Sequence, residues 1–204
     1  MRELSINEFS QQLKSGAPVP GGGGASALMG AVAACLSSMV ANLTTGKKKY
    51  AQYQEDIDRI LIRTEELRSE MIDLIEKDAE VFEPLSKAYS IPKETEGRDE
   101  ILQKCLKEAA LAPFEILKKA RKVSLIVEEL AQKGSRLAIS DVGVAASACT
   151  AAATGAAMNV YINTKLMTDR EYAITLNRNT DELVDEIRRR CDKAYAEVKE
   201  SLIS

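Results

Sequence analysis

The chain has 204 residues, a net charge of −3 and four well-separated cysteines. That length suits one domain with a proper core, the acidic balance argues against nucleic acid as a partner, and cysteines without a C-x-x-C pair argue against a disulfide framework. Histidine is absent, which removes His-ligated zinc, Ser-His-Asp and Cys-His nucleophile systems and leaves carboxylates, lysines, tyrosines, amides and main chain for any catalysis.

Met1-Arg2-Glu3 opens directly into an amphipathic segment with no signal peptide, so a cytoplasmic location is expected. Ser5-Ile6-Asn7-Glu8 is a capping box that starts a first helix, and Gly16 stops it. Pro18 and Pro20 then hold the chain extended ahead of Gly21, Gly22, Gly23 and Gly24. A helix of small residues follows to about Gly46, with no formal charge between Lys14 and Lys47. Ala41 and Lys48 break the P-loop spacing around Gly46-Lys47, and Pro18 and Pro20 deny a Rossmann fingerprint its preceding strand. What remains is a glycine loop feeding a helix N-terminus, a place that favours a carboxylate or other anion. The charge-free run is long enough to raise a membrane span, but Ala, Gly and Ser dominate it, so no membrane role is expected.

A long helix is predicted from Tyr50 to Tyr89. Its positions Tyr50, Tyr53, Ile57, Ile60, Thr64, Leu67, Met71, Leu74, Asp78, Val81, Leu85 and Ala88 step by alternating threes and fours, a heptad seam suited to a bundle or a partner helix. Asp78 is the carboxylate on that seam. Either the stripe rotates and Asp78 escapes to solvent, or the acid is held in a low-dielectric pocket with its pKa raised toward a useful value. Pro84 is expected to kink the last turns. Arg98 to Lys133 forms the next helix, with a kink or break at Pro113 and a stop at Gly134. Ser140 then caps a second small-residue helix, charge-free from Val142 to Thr164, with Asp141 in its first turn. Near its far end Asn159 and Asn163 share one face, able to bind a polar ligand or to satisfy buried backbone. A final amphipathic helix spans about 168–202. No stretch alternates with period two, so the expected fold is an all-α, single-domain helical bundle with two central small-residue helices and long amphipathic outer ones.

Pro18-Val19-Pro20-Gly21-Gly22-Gly23, Met39-Val40, Leu43-Thr44, Gly46-Lys47-Lys48-Lys49-Tyr50, Asp78 with Phe82, Ser140-Asp141, and Gly155 followed by Asn159-Val160 and Ile162-Asn163 together resemble the cyclodeaminase/cyclohydrolase family of folate enzymes. The likeness spans nearly the whole chain. It departs at Gly24-Ala25-Ser26, where many members place Ser-Val or Ala-Val. The resemblance implies an all-helical homodimer with no metal or redox cofactor, and no cofactor beyond tetrahydrofolate as substrate carrier. It also implies one of two reactions: hydrolysis of methenyltetrahydrofolate to the 10-formyl form, expected first for a chain of this length, or cyclodeamination of formiminotetrahydrofolate with release of ammonia. A non-catalytic helical binding protein is the reading of a different class. On this resemblance Asp78 is the acid/base or cation stabiliser and Asp141 the second carboxylate. Asn159 and Asn163 orient water or pterin, while Pro20, Gly21, Gly22, Gly23, Lys47, Lys49 and Tyr50 line the substrate, with the lysines or the loop amides taking the anionic tail.

Overall fold

The computed structural model describes every residue except Arg2. Six α-helices follow in order: α1 (Ile6–Leu13), α2 (Gly22–Asn42), α3 (Gln54–Tyr89), α4 (Arg98–Lys133), α5 (Ile139–Thr164) and α6 (Arg170–Ile203). There is no strand among the described residues.

Local signals explain most boundaries. Ser5 accepts the Glu8 backbone N–H, and the Glu8 carboxylate accepts the Ser5 N–H, so the capping box at α1 is complete. Asp169, the second residue of the predicted last segment, caps α6 by accepting from Tyr172 N. Three expectations change. Tyr50 belongs to a 3-10 turn at Lys48–Tyr53 and not to α3. The second small-residue helix begins on a 3-10 turn at Arg136–Ala138, so Ser140 lies inside the first turn of α5 and Ala138 occupies the cap position. The helix that was expected to kink or break at Pro113 runs on without a break to Lys133, and Pro84 likewise sits inside α3, each proline at the cost of one backbone hydrogen bond.

The two small-residue helices hold the bundle together. α2 packs against α5, α3 and α4, while α5 packs against α2, α4 and α6. α2 and α5 run antiparallel, with Gly22 beside Asn159 and Ser26 beside Gly155 at one end and Lys47 beside Ser135 at the other. Their contact is close because side chains are missing: a methyl on Gly155 would press on Ser26 Oγ, and one on Gly30 would meet the Met71 thioether of α3. Both helices are long and apolar enough to cross a membrane by length and composition, but 56% of the α2 window and 50% of the α5 window are buried inside the protein.

The α3 seam shows how the site arises. Ile57, Ile60, Thr64, Leu67 and Met71 are buried as the heptad predicts, but farther on Ile75 and Ala79 take the core positions in place of Leu74, Asp78 and Val81. A straight α-helix drifts about 20° per heptad against a strict 3.5 repeat, so two heptads suffice to turn the next residue inward. Asp78 is thereby rotated off the core, though not into solvent. It faces the glycine loop.

Candidate active site

At the end of the bundle where α2 begins, Pro18, Val19, Gly21, Gly22 and Gly23 close one side of a cavity of about 190 Å³. Asp78 and Phe82 from α3, Ala109 from α4, and Asn159, Ile162 and Asn163 from α5 form the rest. Wider grooves lie between α3 and α4 and between α5 and α6, but they are more open to solvent and bring no comparable set of polar groups around a buried carboxylate.

Asp78 is the chemical centre. Burial pushes its carboxyl up to about 6, against the opposing pull of the Gly24 backbone N–H, which it accepts at the N-terminus of α2. A carboxyl in that range exchanges a proton near neutral pH, as general acid/base work requires. Gly23 makes this placement possible: a Cβ there would overlap the Asp78 carboxylate itself. At Gly22 a Cβ would press on the Asn159 carboxamide, 3.2 Å from Nδ2 and 3.4 Å from Oδ1. The α2 backbone therefore lies directly against the acid and the amide; at Gly23 only glycine leaves room for the carboxylate, while at Gly22 a methyl would require the amide to shift by a few tenths of an ångström.

The two asparagines are held by their own helix. Asn159 Nδ2 donates to Gly155 O at 2.9 Å, and Asn163 Nδ2 donates to Asn159 O at 2.9 Å. With one N–H of each NH₂ group given to backbone, the Oδ1 atoms remain as acceptors for a water or a substrate N–H, and the second N–H as a donor. Phe82, Ile162 and Ala109 supply apolar wall between these polar points. Such a mixture suits a flat heterocycle whose edge is polar.

The structure divides the residues that the sequence singled out. Asp78, Gly21, Gly22, Gly23, Asn159 and Asn163 come together in the cavity. Pro20 is buried behind the loop, following a cis Val19–Pro20 peptide bond. Lys47, Lys49, Tyr50 and Asp141 do not join them within this chain. Lys47 Nζ reaches Ser135 Oγ at 3.2 Å, the Tyr50 hydroxyl accepts the Arg136 N–H at 2.9 Å, and Lys49 lies over the Tyr50 ring. This second cluster occupies the opposite end of α2, about 30 Å away at 1.5 Å per residue. Asp141 opens α5 at that same far end, about 27 Å of helix rise from Asn159. Ala109 carried no sequence signal, being one alanine in an apolar period, and Val19 and Ile162 gave none beyond their place in the family motifs. Among the described residues no group of three or more His, Cys, Asp or Glu is arranged to hold a metal ion.

A methenyltetrahydrofolate cyclohydrolase of Methylorubrum extorquens is 38% identical over 199 residues, covering 96% of both chains. The formimidoyltransferase-cyclodeaminase of Rattus norvegicus is 31% identical over 82% of this chain, which spans only 32% of that longer protein. Among solved structures, formiminotetrahydrofolate cyclodeaminase from Thermotoga maritima superposes with a TM-score of 0.82 at 35% identity, covering 97% of this chain and 95% of that one. The profile of the formiminotransferase-cyclodeaminase family matches residues 5–182, a span that holds every residue lining the cavity, and the chain belongs to that family.

Proposed function

We propose that the chain is a folate one-carbon enzyme that hydrolyses 5,10-methenyltetrahydrofolate to 10-formyltetrahydrofolate. The observation that carries this reading is the end-to-end likeness to a cyclohydrolase, joined to a buried carboxyl tuned to about 6 in an otherwise apolar and amide-lined cavity. The methenyl substrate is a delocalised cation, and a carboxylate facing it in a low-dielectric site stabilises that charge before any bond changes.

The steps use groups present in the cavity. Asp78 takes a proton from water as the water oxygen bonds to the methenyl carbon, giving a neutral tetrahedral carbon between the two folate nitrogens. Asp78 then returns the proton to N5 as the bond from carbon to N5 breaks. The hydroxyl proton leaves to solvent as the carbonyl forms, so one proton is released per turnover. The Asn159 and Asn163 oxygens position the water and the pterin edge, and Phe82 and Ile162 border the ring. No cofactor enters beyond the folate itself.

The Thermotoga structure favours a second reading, cyclodeamination of formiminotetrahydrofolate. There the same carboxyl, protonated, would deliver its proton to the departing nitrogen. The two readings part in a single assay. Purified protein should accelerate loss of the methenyl chromophore if it is the cyclohydrolase; appearance of that chromophore with ammonia, from formiminotetrahydrofolate, would establish the cyclodeaminase instead. Silence in both would leave a binding protein and overturn the enzymatic reading.

The pH profile gives an independent handle. The free enzyme hydrolyses through the ionised carboxylate, so kcat/KM should rise with pH through an inflection near 6. A profile that falls through the same region would assign Asp78 as acid.

A further inference from the structure

The spacing of the four cysteines argues against a built-in disulfide framework, yet the fold brings two of them face to face. Cys149 on α5 and Cys191 on α6 are both buried, at 0% and 1% exposure. α5 and α6 run antiparallel, and three contacts along them fix their register. A Cβ on Gly143 would lie 3.4 Å from Val198 Cγ1, the Tyr161 hydroxyl donates to Asp181 Oδ1 at 2.5 Å, and the Thr164 hydroxyl donates to Asn177 Oδ1 at 2.7 Å. Cys149 lies six residues on from Gly143 and Cys191 seven back from Val198, so this register sets the two side chains opposite one another. Each thiol is within hydrogen-bonding reach of the other.

The two settings differ. Cys149 is turned toward α4, where its Sγ donates to Ala120 O at 3.3 Å, and the neighbouring Cys191 sulfur together with burial pushes its thiol up. Cys191 stands on the floor of a groove of about 400 Å³ whose walls include Ala146, Thr150, Thr154, Asp192 and Tyr195. The hydrogen bond from Cys149, joined by one from Thr150, holds the Cys191 thiol below its ordinary value in spite of burial. One sulfur is therefore the better nucleophile and borders a solvent groove, while its neighbour is the poorer one and is sealed in the core. Neither lines the Asp78 cavity, and ten residues of α5, about 15 Å of rise, separate Cys149 from Asn159.

We propose that Cys149 and Cys191 are a reversible oxidation site, in which a hydroperoxide entering the α5/α6 groove converts the two thiols to a disulfide that staples α5 to α6. With hydrogen peroxide as oxidant, the Cys191 thiolate bonds to one oxygen as the O–O bond breaks, giving a sulfenic acid and a hydroxide that takes up the thiol's proton as water. The Cys149 sulfur then bonds to the Cys191 sulfur as the S–O bond breaks, and the Cys149 proton leaves with the hydroxyl as a second water. The two thiols give up two electrons and two protons, and the peroxide accepts them. A small-molecule dithiol reverses the step by thiol–disulfide exchange. The bond would close a loop of 42 residues, from 149 to 191, in the unfolded chain, which raises the melting temperature of the oxidised protein.

The bridge is tested in a Cys35→Ser protein, which lacks the exposed thiol and keeps Cys105, Cys149 and Cys191. After treatment with hydrogen peroxide the protein is denatured, alkylated and mapped by mass spectrometry. One alkylated cysteine, Cys105, is expected where the untreated protein gives three, with a cross-linked peptide pair joining Cys149 to Cys191 and a mass lower by two hydrogens. The melting midpoint should rise by several degrees, and dithiothreitol should reverse every change. Three alkylated cysteines after peroxide, or a bridge that includes Cys105, overturns the pairing. The roles are separated with dimedone, which captures sulfenic acids: Cys149→Ala should be labelled at Cys191, and Cys191→Ala should carry no label at Cys149. Label at Cys149 in the second variant overturns Cys191 as the attacking sulfur. The mapped bridge is read in a protein that keeps both buried thiols, so it decides the pairing even where an alanine variant folds poorly, and it needs no folate.

Discussion

Replacing Asp78 by asparagine should remove turnover and, at neutral pH, make the protein harder to unfold. General acid/base groups typically supply about 100-fold to 10,000-fold in rate, and among the described residues no other ionisable group lines the cavity to substitute for this one. The stability effect follows from the direction of the shift. The folded-state pKa of about 6 lies above the ordinary 3.8, so between those values the folded protein binds more protons than the unfolded chain, and stability falls as pH rises through that window. A displacement of this size corresponds to about 3 kcal/mol of cost, fully expressed above pH 6 and absent below pH 4. The substituted carboxamide would carry no charge to desolvate, while its oxygen could still accept the Gly24 N–H. Thermal melts at pH 8 should therefore show the variant several degrees above the native protein, with the gap closing toward pH 4. Melts that coincide at both pH values would mean that Asp78 is not held in a low-dielectric setting. Retained turnover would remove it from the mechanism.

The order of helices was legible because each one carries its own local signals. Ser5 and Glu8 start α1, the charge-free runs mark α2 and α5, and the apolar stripes mark α3, α4 and α6. Local signals are silent about where distant positions meet. Asp78 fell on the predicted seam, and only the drift of a straight helix against a heptad shows that Ile75 and Ala79 replace its row in the core. The cavity itself was half visible. Its glycines, acid and amides stand out as residue types, whereas Ala109 contributes only a surface without a side chain in the way. The separation of Lys47, Lys49, Tyr50 and Asp141 from Asp78 was hidden for a simpler reason. In sequence Lys47 lies closer to Asp78 than Asn159 does, yet a 21-residue helix running from the cavity carries the lysines away, and α5, returning antiparallel, brings the asparagines in.

The second large effect is expected from one methyl group. Gly23→Ala should lose turnover nearly as completely as Asp78→Asn, whereas Gly24→Ala, the adjacent position, should retain it. Both glycines are buried in the first turn of α2, where alanine is the better helix former by about 1 kcal/mol, and neither has a positive φ. Backbone conformation therefore cannot distinguish them; their surroundings do. A Cβ on Gly24 would sit 3.6 Å from Ile75 Cγ2 and from Pro20 Cβ, ordinary contact. A Cβ on Gly23 would occupy the space of the Asp78 carboxylate. That carboxylate ends a short side chain on a packed helix, so relief requires a new rotamer that breaks the bond from Gly24 N–H and aims the acid elsewhere. A misplacement of about 1 Å in a reacting group costs on the order of 100-fold. Steady-state kinetics and melting curves on the two alanine variants test the pair together. Equal activity in both would place the reacting acid somewhere other than against Gly23, while a Gly23→Ala protein that stays folded but inactive would fix the acid's position to within the radius of one methyl group.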